Sequence, residues 1–150
     1  MQLRRLDRKM ADGKAEELLR EGEYGVLSTC GGAIPYGVPV NYVYYDSAIW
    51  FHCAAEGRKL DNLRANPSVS FCVVGGCHVE GFTTRYECVI ATGSAETVSG
   101  EDRLPPIRKL VEKYSPGIPG SEEHIAAYRD KFVIVKITVT ELSGKENRKK

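Results

Sequence analysis

The sequence has no excess of one charge sign: 21 Lys and Arg stand against 20 Asp and Glu, a formal net charge of +1 over 150 residues. Without a field that attracts polyanions, neither nucleic acid nor an anionic membrane surface is expected as a partner. There is no run approaching the roughly 20 apolar residues that span a bilayer. Met1 to Met10 is charged throughout and lacks the apolar middle of a signal peptide. A cytoplasmic location is therefore expected. The five cysteines are odd in number and irregularly spaced (Cys30, Cys53, Cys72, Cys77, Cys88), which argues for reduced thiols and against a secreted disulfide framework. Internal repeats, low-complexity tracts and interdomain linkers are also missing. What is present is ordinary globular composition, 42% hydrophobic and 27% charged. At 16.6 kDa the folded surface should be roughly 7,600 Å² against roughly 24,000 Å² for the open chain. That supports one core and a single domain over residues 1–150.

Residues 1–22 read as an N-terminal helical segment: Asp12 can cap, Ala15, Leu18 and Leu19 recur at helical period, and Gly22 sits where a left-handed terminal residue belongs. Tyr24 to Cys30 is β-prone, and Gly31-Gly32 makes a turn. Tyr36, Val38, Val40, Tyr42 and Tyr44 then share one face of a second strand, with Pro39 on the opposite parity as the mark of an edge or bulge. After a turn at Asp46-Ser47, Ile49, Phe51 and Cys53 alternate with Trp50, His52 and Ala54, so His52 shares a face with Trp50. Gly57 opens a short helix, Arg58 to Ala65, that buries Leu60 and Leu63 and stops near Asn66-Pro67. Val69, Phe71 and Val73 resume strand period until Gly75-Gly76 breaks it, and Tyr86 to Val98 forms a long strand with a bend at Gly93. Leu104 to Tyr114 is helical with Pro105-Pro106 in its first turn, and Ser121 to Tyr128 is a second helical piece. Val133, Val135, Ile137 and Val139 line a last strand, and residues 143–150 form a polar tail. Six or seven strands joined mostly by turns fit a mainly β antiparallel barrel with flanking helices. A doubly wound parallel sheet would need more helices.

Glu56-Gly57-Arg58-Lys59 places two cations beside glycine where a strand gives way to a helix. Backbone amides at a helix start are unpaired and partly positive, and an arginine fork can clasp two phosphate oxygens. Spacing alone favours a solvated helix face for Arg58 and Lys59. Two charge-assisted hydrogen bonds contribute roughly 1.5–3 kcal/mol each, whereas micromolar binding needs about 8 kcal/mol. A phosphate clamp therefore needs a neighbouring wall that hides a planar ring, worth about 5 kcal/mol for about 200 Å² of apolar surface. Tyr36, Tyr42, Tyr44, Trp50 and Phe51 cluster next to it, although strand aromatics are usually core. Cys72, Cys77, His78 and Cys88 could supply zinc ligands, but Cys72 and Cys77 straddle a strand end and Cys88 lies inside another strand, so buried small hydrophobes are the plainer account and no metal is expected. His78 and His124 read as surface residues.

Taken together, Pro35-Tyr36-Gly37-Val38-Pro39-Val40-Asn41-Tyr42, Trp50-Phe51-His52-Cys53-Ala54, Glu56-Gly57-Arg58-Lys59, Leu63-Arg64-Ala65-Asn66-Pro67 and Tyr86-Glu87-Cys88-Val89 resemble the FMN-binding split barrels related to pyridoxamine 5′-phosphate oxidase. The nearest branch is the Nim type, associated with 5-nitroimidazole resistance. The resemblance covers Arg4 to Ser99 well and is weak beyond. It implies a homodimer holding FMN in two clefts at the subunit interface. On this chain Val40, Asn41 and Tyr42 would border the flavin ring, His52 and Ala54 would lie along its pyrimidine and ribityl side, and Arg58 with Lys59 would grip the phosphate. Tyr86 and Cys88 would approach from the partner chain, with Cys88 standing where many relatives have serine.

The resemblance further implies a flavin-dependent oxidoreductase, with a nicotinamide such as NAD(P)H as electron donor and a small electron-poor acceptor such as a nitroaromatic. For His52, proton delivery and a structural hydrogen bond are equally compatible. The chain ends in Leu142-Ser143-Gly144-Lys145-Glu146-Asn147, without the Arg-Leu-His-Asp-Arg-like segment by which the oxidase binds its substrate, so pyridoxamine phosphate oxidase activity itself is not expected. A non-catalytic flavin- or haem-binding protein and a deazaflavin-dependent reductase are the alternatives.

Overall fold

A computed structural model describes residues 4–128 and 131–148. Helix α1 (Lys14–Glu21) is followed by β1 (Gly25–Thr29), β2 (Tyr36–Val40), β3 (Val43–Tyr45) and β4 (Ala48–Ala54). Helix α2 (Arg58–Ala65), the long strands β5 (Ser68–Glu80) and β6 (Thr83–Val98), helices α3 (Leu104–Tyr114) and α4 (Ser121–Tyr128), and strand β7 (Phe132–Asn147) complete the chain. The seven strands form one sheet in the order β2-β1-β5-β6-β7-β4-β3, with every pairing antiparallel. This is the mainly β split-barrel architecture expected from the sequence. Among the described residues no helix is long and apolar enough to cross a membrane.

The split in the barrel has a covalent cause. β2 and β3 are the two ends of the sheet, yet only Asn41 and Tyr42 separate them along the chain. Three Cα steps reach at most roughly 11 Å, so the sheet must curl until its edges are near. Hydrogen bonds do not close the ring; a short piece of chain does. The alternation from Tyr36 to Tyr44 is thus not one strand, because the chain leaves one edge of the sheet at Val40 and enters the other at Val43. Pro39, lacking an amide hydrogen, lies on β2 at an edge as expected.

Inward-facing positions of alternate strands make the main core: Leu27, Ile49, Phe51, Phe71, Val73, Val89 and Ile137 are all fully buried. Tyr42 joins them, packing edge-on to Phe71 at 4.9 Å and donating its hydroxyl to the Leu19 carbonyl at 2.6 Å. α1 adds Leu18 and Leu19, and α2 adds Leu60 and Leu63. A second cluster lies outside the barrel, where Ile107 and Leu110 of α3 and Ile125 of α4 cover Val43, Trp50 and Ile134 of β3, β4 and β7. Each such side chain contributes about 1.5–3 kcal/mol on full burial, enough to hold both helices against the sheet.

Several local expectations are corrected. Asp12 does not cap α1; Gly13 is the N-cap, and the Asp12 carboxylate lies 3.8 Å from Lys9. Gly22 ends α1 with φ −55°, not left-handed, and glycine is needed there for space, since a Cβ would sit 2.5 Å from Val73 Cγ1 and 2.7 Å from the Tyr42 hydroxyl. Gly75-Gly76 does not end its strand: the register shifts between Gly75 and His78 and pairing resumes to Glu80 opposite Thr83, so the glycines form a bulge and β6 starts earlier than Tyr86. At Gly93 the expected irregularity is present as a register shift against β7. The polar tail is strand as far as Asn147, because Gly144, Lys145 and Asn147 pair with Val89, Cys88 and Tyr86, while Glu146 accepts a hydrogen bond from Lys14. Residues 149–150 of that tail, and residues 1–3 of the N-terminal segment, lie outside the described residues.

Candidate functional site

Where α3 and α4 lean over β4, a cleft of about 790 Å³ opens, within the range of small-molecule sites. Strand alternation builds one wall: Phe51 points into the core, so His52 must face out, where its ring meets Phe132 edge-to-face at 6.0 Å. Val40 and Asn41, at the seam of the barrel, supply the adjoining edge. Ile107, Leu110 and Tyr114 from α3 and Ile125 from α4 form the apolar wall opposite. Lys59 enters from the first turn of α2, behind Gly57, whose φ of +123° belongs to glycine and whose position leaves the helix start without a side-chain cap.

The seam is held in place by α3. Tyr114 accepts the Tyr42 amide hydrogen at 2.9 Å, and its hydroxyl lies 2.6 Å from the Glu23 carbonyl it donates to. Lys113 donates to the carbonyls of Gly22 at 2.7 Å and Tyr42 at 3.1 Å and lies 4.5 Å above the Tyr42 ring. Burial lowers the pKa of this lysine, and the carbonyls satisfy the ammonium that burial disfavours. Both side chains therefore act on the backbone that borders the cleft.

Two cations stand at the start of α2. Lys59 stands 5.7 Å over the Phe51 ring, and Arg58 lies 5.0 Å over Tyr36. Among the described residues no carboxylate forms an ion pair with either. The His52 pKa is lowered, first because the cleft walls strip water from part of the ring and second because Lys59 opposes its charged form. The imidazole is accordingly neutral at pH 7, with one nitrogen able to donate and the other to accept. Cys53, between these groups, has its thiol pKa raised by burial.

Of the residues singled out in the sequence, Val40, Asn41, His52, Ala54 and Lys59 line this one cleft. Tyr42 does not line the cleft: its side chain is buried in the core and its backbone groups are bonded to Tyr114 and Lys113. Arg58 is next to the cleft but directed toward Tyr36. Tyr86 and Cys88 are elsewhere: Cys88 is opposite Lys145 and His52 opposite Ile134, so β7 separates them by roughly 35 Å of strand. Cys88 instead meets Cys72, sulfur to sulfur, at 3.6 Å. Tyr114, His124, Tyr128 and Lys131 line the cleft without having been singled out for it. Their elements were legible, but no local spacing ties helices inserted late in the chain to a strand some 70 residues earlier. No cluster of three or more metal-ligating side chains occurs among the described residues.

Residues 11–146 match a family model described as pyridoxamine 5′-phosphate oxidase. The chain belongs to this family. Similar solved structures within the same fold include a conserved hypothetical protein from Mycobacterium tuberculosis, 23% identical, covering 98% of this chain and 91% of that one, with a TM-score of 0.83. An FAD-binding protein from Mesorhizobium loti is 21% identical with coverage of 95% and 97% and a TM-score of 0.72. A candidate 5-nitroimidazole antibiotic resistance protein from Bacteroides thetaiotaomicron is 19% identical with coverage of 91% and 84% and a TM-score of 0.74. At these identities the likeness is one of fold. No curated protein matches the chain. In this member of the pyridoxamine 5′-phosphate oxidase family, then, the α3–α4 segment between β6 and β7 forms one wall of the cleft.

Proposed function

We propose that this chain is a flavin-dependent oxidoreductase that holds FMN in the cleft beside β4 and reduces a small electron-poor organic acceptor, such as a nitroaromatic, with NAD(P)H as donor. The observation that carries this is the convergence of Val40, Asn41, His52, Ala54 and Lys59 on one cleft in a member of the pyridoxamine 5′-phosphate oxidase family. The residues present fit a flavin mononucleotide. Lys59, with Arg58 beside it, offers unpaired positive charge to a phosphate, the uncapped start of α2 adds free amides, and Ile107, Leu110 and Tyr114 offer apolar cover to a ring. When bound, the flavin supplies two-electron transfer between donor and acceptor. The chain contributes position and shelter: the seam backbone fixed by Tyr114 borders the ring, the α3–α4 wall excludes water, and neutral His52 holds a proton on one ring nitrogen for donation toward the cleft.

The working unit in this proposal is a homodimer. The outer faces of β1, β5 and β6 carry Val26 and Val74, 37% and 55% exposed, with the half-buried Cys72, Cys88 and Ile90 between them. The accessible surface of 9308 Å² exceeds the roughly 7,600 Å² of a compact monomer of this mass by more than the ~800 Å² a standard interface covers on each partner. Only a second copy could carry Tyr86 and Cys88 to the cleft.

Purified protein titrated with FMN and, side by side, FAD is expected to show flavin absorbance that persists through gel filtration at the dimer volume. Arg58→Ala combined with Lys59→Ala should lower FMN retention at least tenfold with fold and dimer intact. Unchanged occupancy in that variant contradicts the phosphate assignment. Absence of flavin bands, or a Soret band in their place, overturns the flavin proposal.

A further inference from the structure

The cleft holds a second group of cationic side chains, at the end formed by α4 and the start of β7. His124 and Lys131 both line it, and both lean on Tyr128: the His124 ring is 4.6 Å from the Tyr128 ring, and Lys131 Nζ lies 4.7 Å above it. This places an aromatic surface and two nitrogen donors together in the same cleft as His52 and Lys59. Among the described residues the cleft lining contains two lysines and two histidines and no aspartate or glutamate. Some cations elsewhere are matched by carboxylates, as Lys14 is by Glu87 and Glu146 and Arg108 by Glu122. Among the described residues no carboxylate forms an ion pair with Lys131.

A cleft whose described lining carries lysine and histidine without a carboxylate discriminates in sign. An anionic ligand gains charge-assisted hydrogen bonds beside an apolar wall that weakens solvent screening, whereas a cationic one meets like charge. From these contacts we infer that the reducible substrate is a planar aromatic acid, its ring against Ile107, Leu110 and Ile125 and its carboxylate at His124 and Lys131. This rests on the flavin reading, which assigns Lys59 to the cofactor and leaves the α4–β7 end to the substrate.

The test uses protein loaded with FMN and three probes of matched shape: para-nitrobenzoate, para-nitrobenzyl alcohol and para-nitrobenzyl trimethylammonium. Calorimetric titration should rank the carboxylate about tenfold tighter than the alcohol, and the ammonium weakest. His124→Gln combined with Lys131→Met should bring the carboxylate-to-alcohol ratio near one, with circular dichroism confirming the fold. Equal affinities, a preference for the ammonium, or an unchanged ratio in the variant overturns the inference while flavin binding stands. Release of FMN by para-nitrobenzoate also overturns it, because these cations would then serve the flavin phosphate. If the protein takes up no flavin, the flavin reading has failed and the assignment of the α4–β7 end to a substrate falls with it.

Discussion

The two outer faces of the curled sheet follow the same alternation and meet different fates. Over β3, β4 and β7, outward residues such as Val43 and Ile134 are buried beneath α3 and α4. Over β1 and β5, Val26 and Val74 occupy equivalent outward positions and stay exposed in the single chain. The difference lies in the α3–α4 segment between β6 and β7, which sheathes one side and leaves a cleft where the sheath stands off the sheet. A strand's period tells which residues face outward; what covers them is set by elements far away in sequence.

The sharpest way to break this comparison is to truncate one side chain on each face. Ile134→Ala should cost about 2–5 kcal/mol, the usual range for a buried large-to-small change, read as a lower urea midpoint. Val74→Ala should change monomer stability by less than about 0.5 kcal/mol. Equal losses would mean that the two faces are not differently covered.

A smaller effect separates the sheet's far end from the cleft. Lys14 donates to Glu87 at 2.8 Å and also to Glu146, tying α1 to β6 and β7, and the hydrogen bonds from Lys14 and Arg148 hold the Glu87 pKa below its ordinary value. Because the folded value is depressed, this contribution is fully present above the unfolded carboxylate value of about 4.3 and is lost as pH falls through the folded one. Lys14→Met should therefore lower stability by about 1 kcal/mol at pH 7, and the gap to the parent should close between about pH 4.3 and lower pH in acid-titrated urea unfolding.

The smallest effect belongs to the covered side. The folded pKa of His52 is also depressed, and as with Glu87 the unfolded state takes up the proton first, so stability declines as pH falls through the unfolded histidine value of about 6.5 toward the lower folded one. His52→Gln should remove that shallow decline while leaving the carboxylate window intact. A His52→Gln profile that still declines between pH 7 and 6 would place the titrating group elsewhere.

Much of this molecule was legible in the sequence because it is local. The Asp46-Ser47 turn, with both residues at positive φ, the stop at Asn66-Pro67, the tolerated prolines at the start of α3 and the irregularity at Gly93 each follow from neighbouring residues alone. Errors arose where a nonlocal partner decided. Gly75-Gly76 reads as a stop, yet pairing with Thr83 to Arg85 carries the strand past it; Lys145 to Asn147 reads as a tail, yet β6 offers an unpaired edge there. The cleft was half legible. His52 and Lys59 sit on one local motif, whereas His124, exposed as the sequence reading expected, borders the same cleft only through the packing of α4.

The Asn41–Tyr42 link is at once the buckle of a hoop and the sill of a window. A hoop fastened by a short strap can widen only as far as the strap gives, and this strap is pegged to α3 through Tyr114 and Lys113. The girth of the barrel and the edge of the cleft at Asn41 are thereby set by the same short stretch of chain.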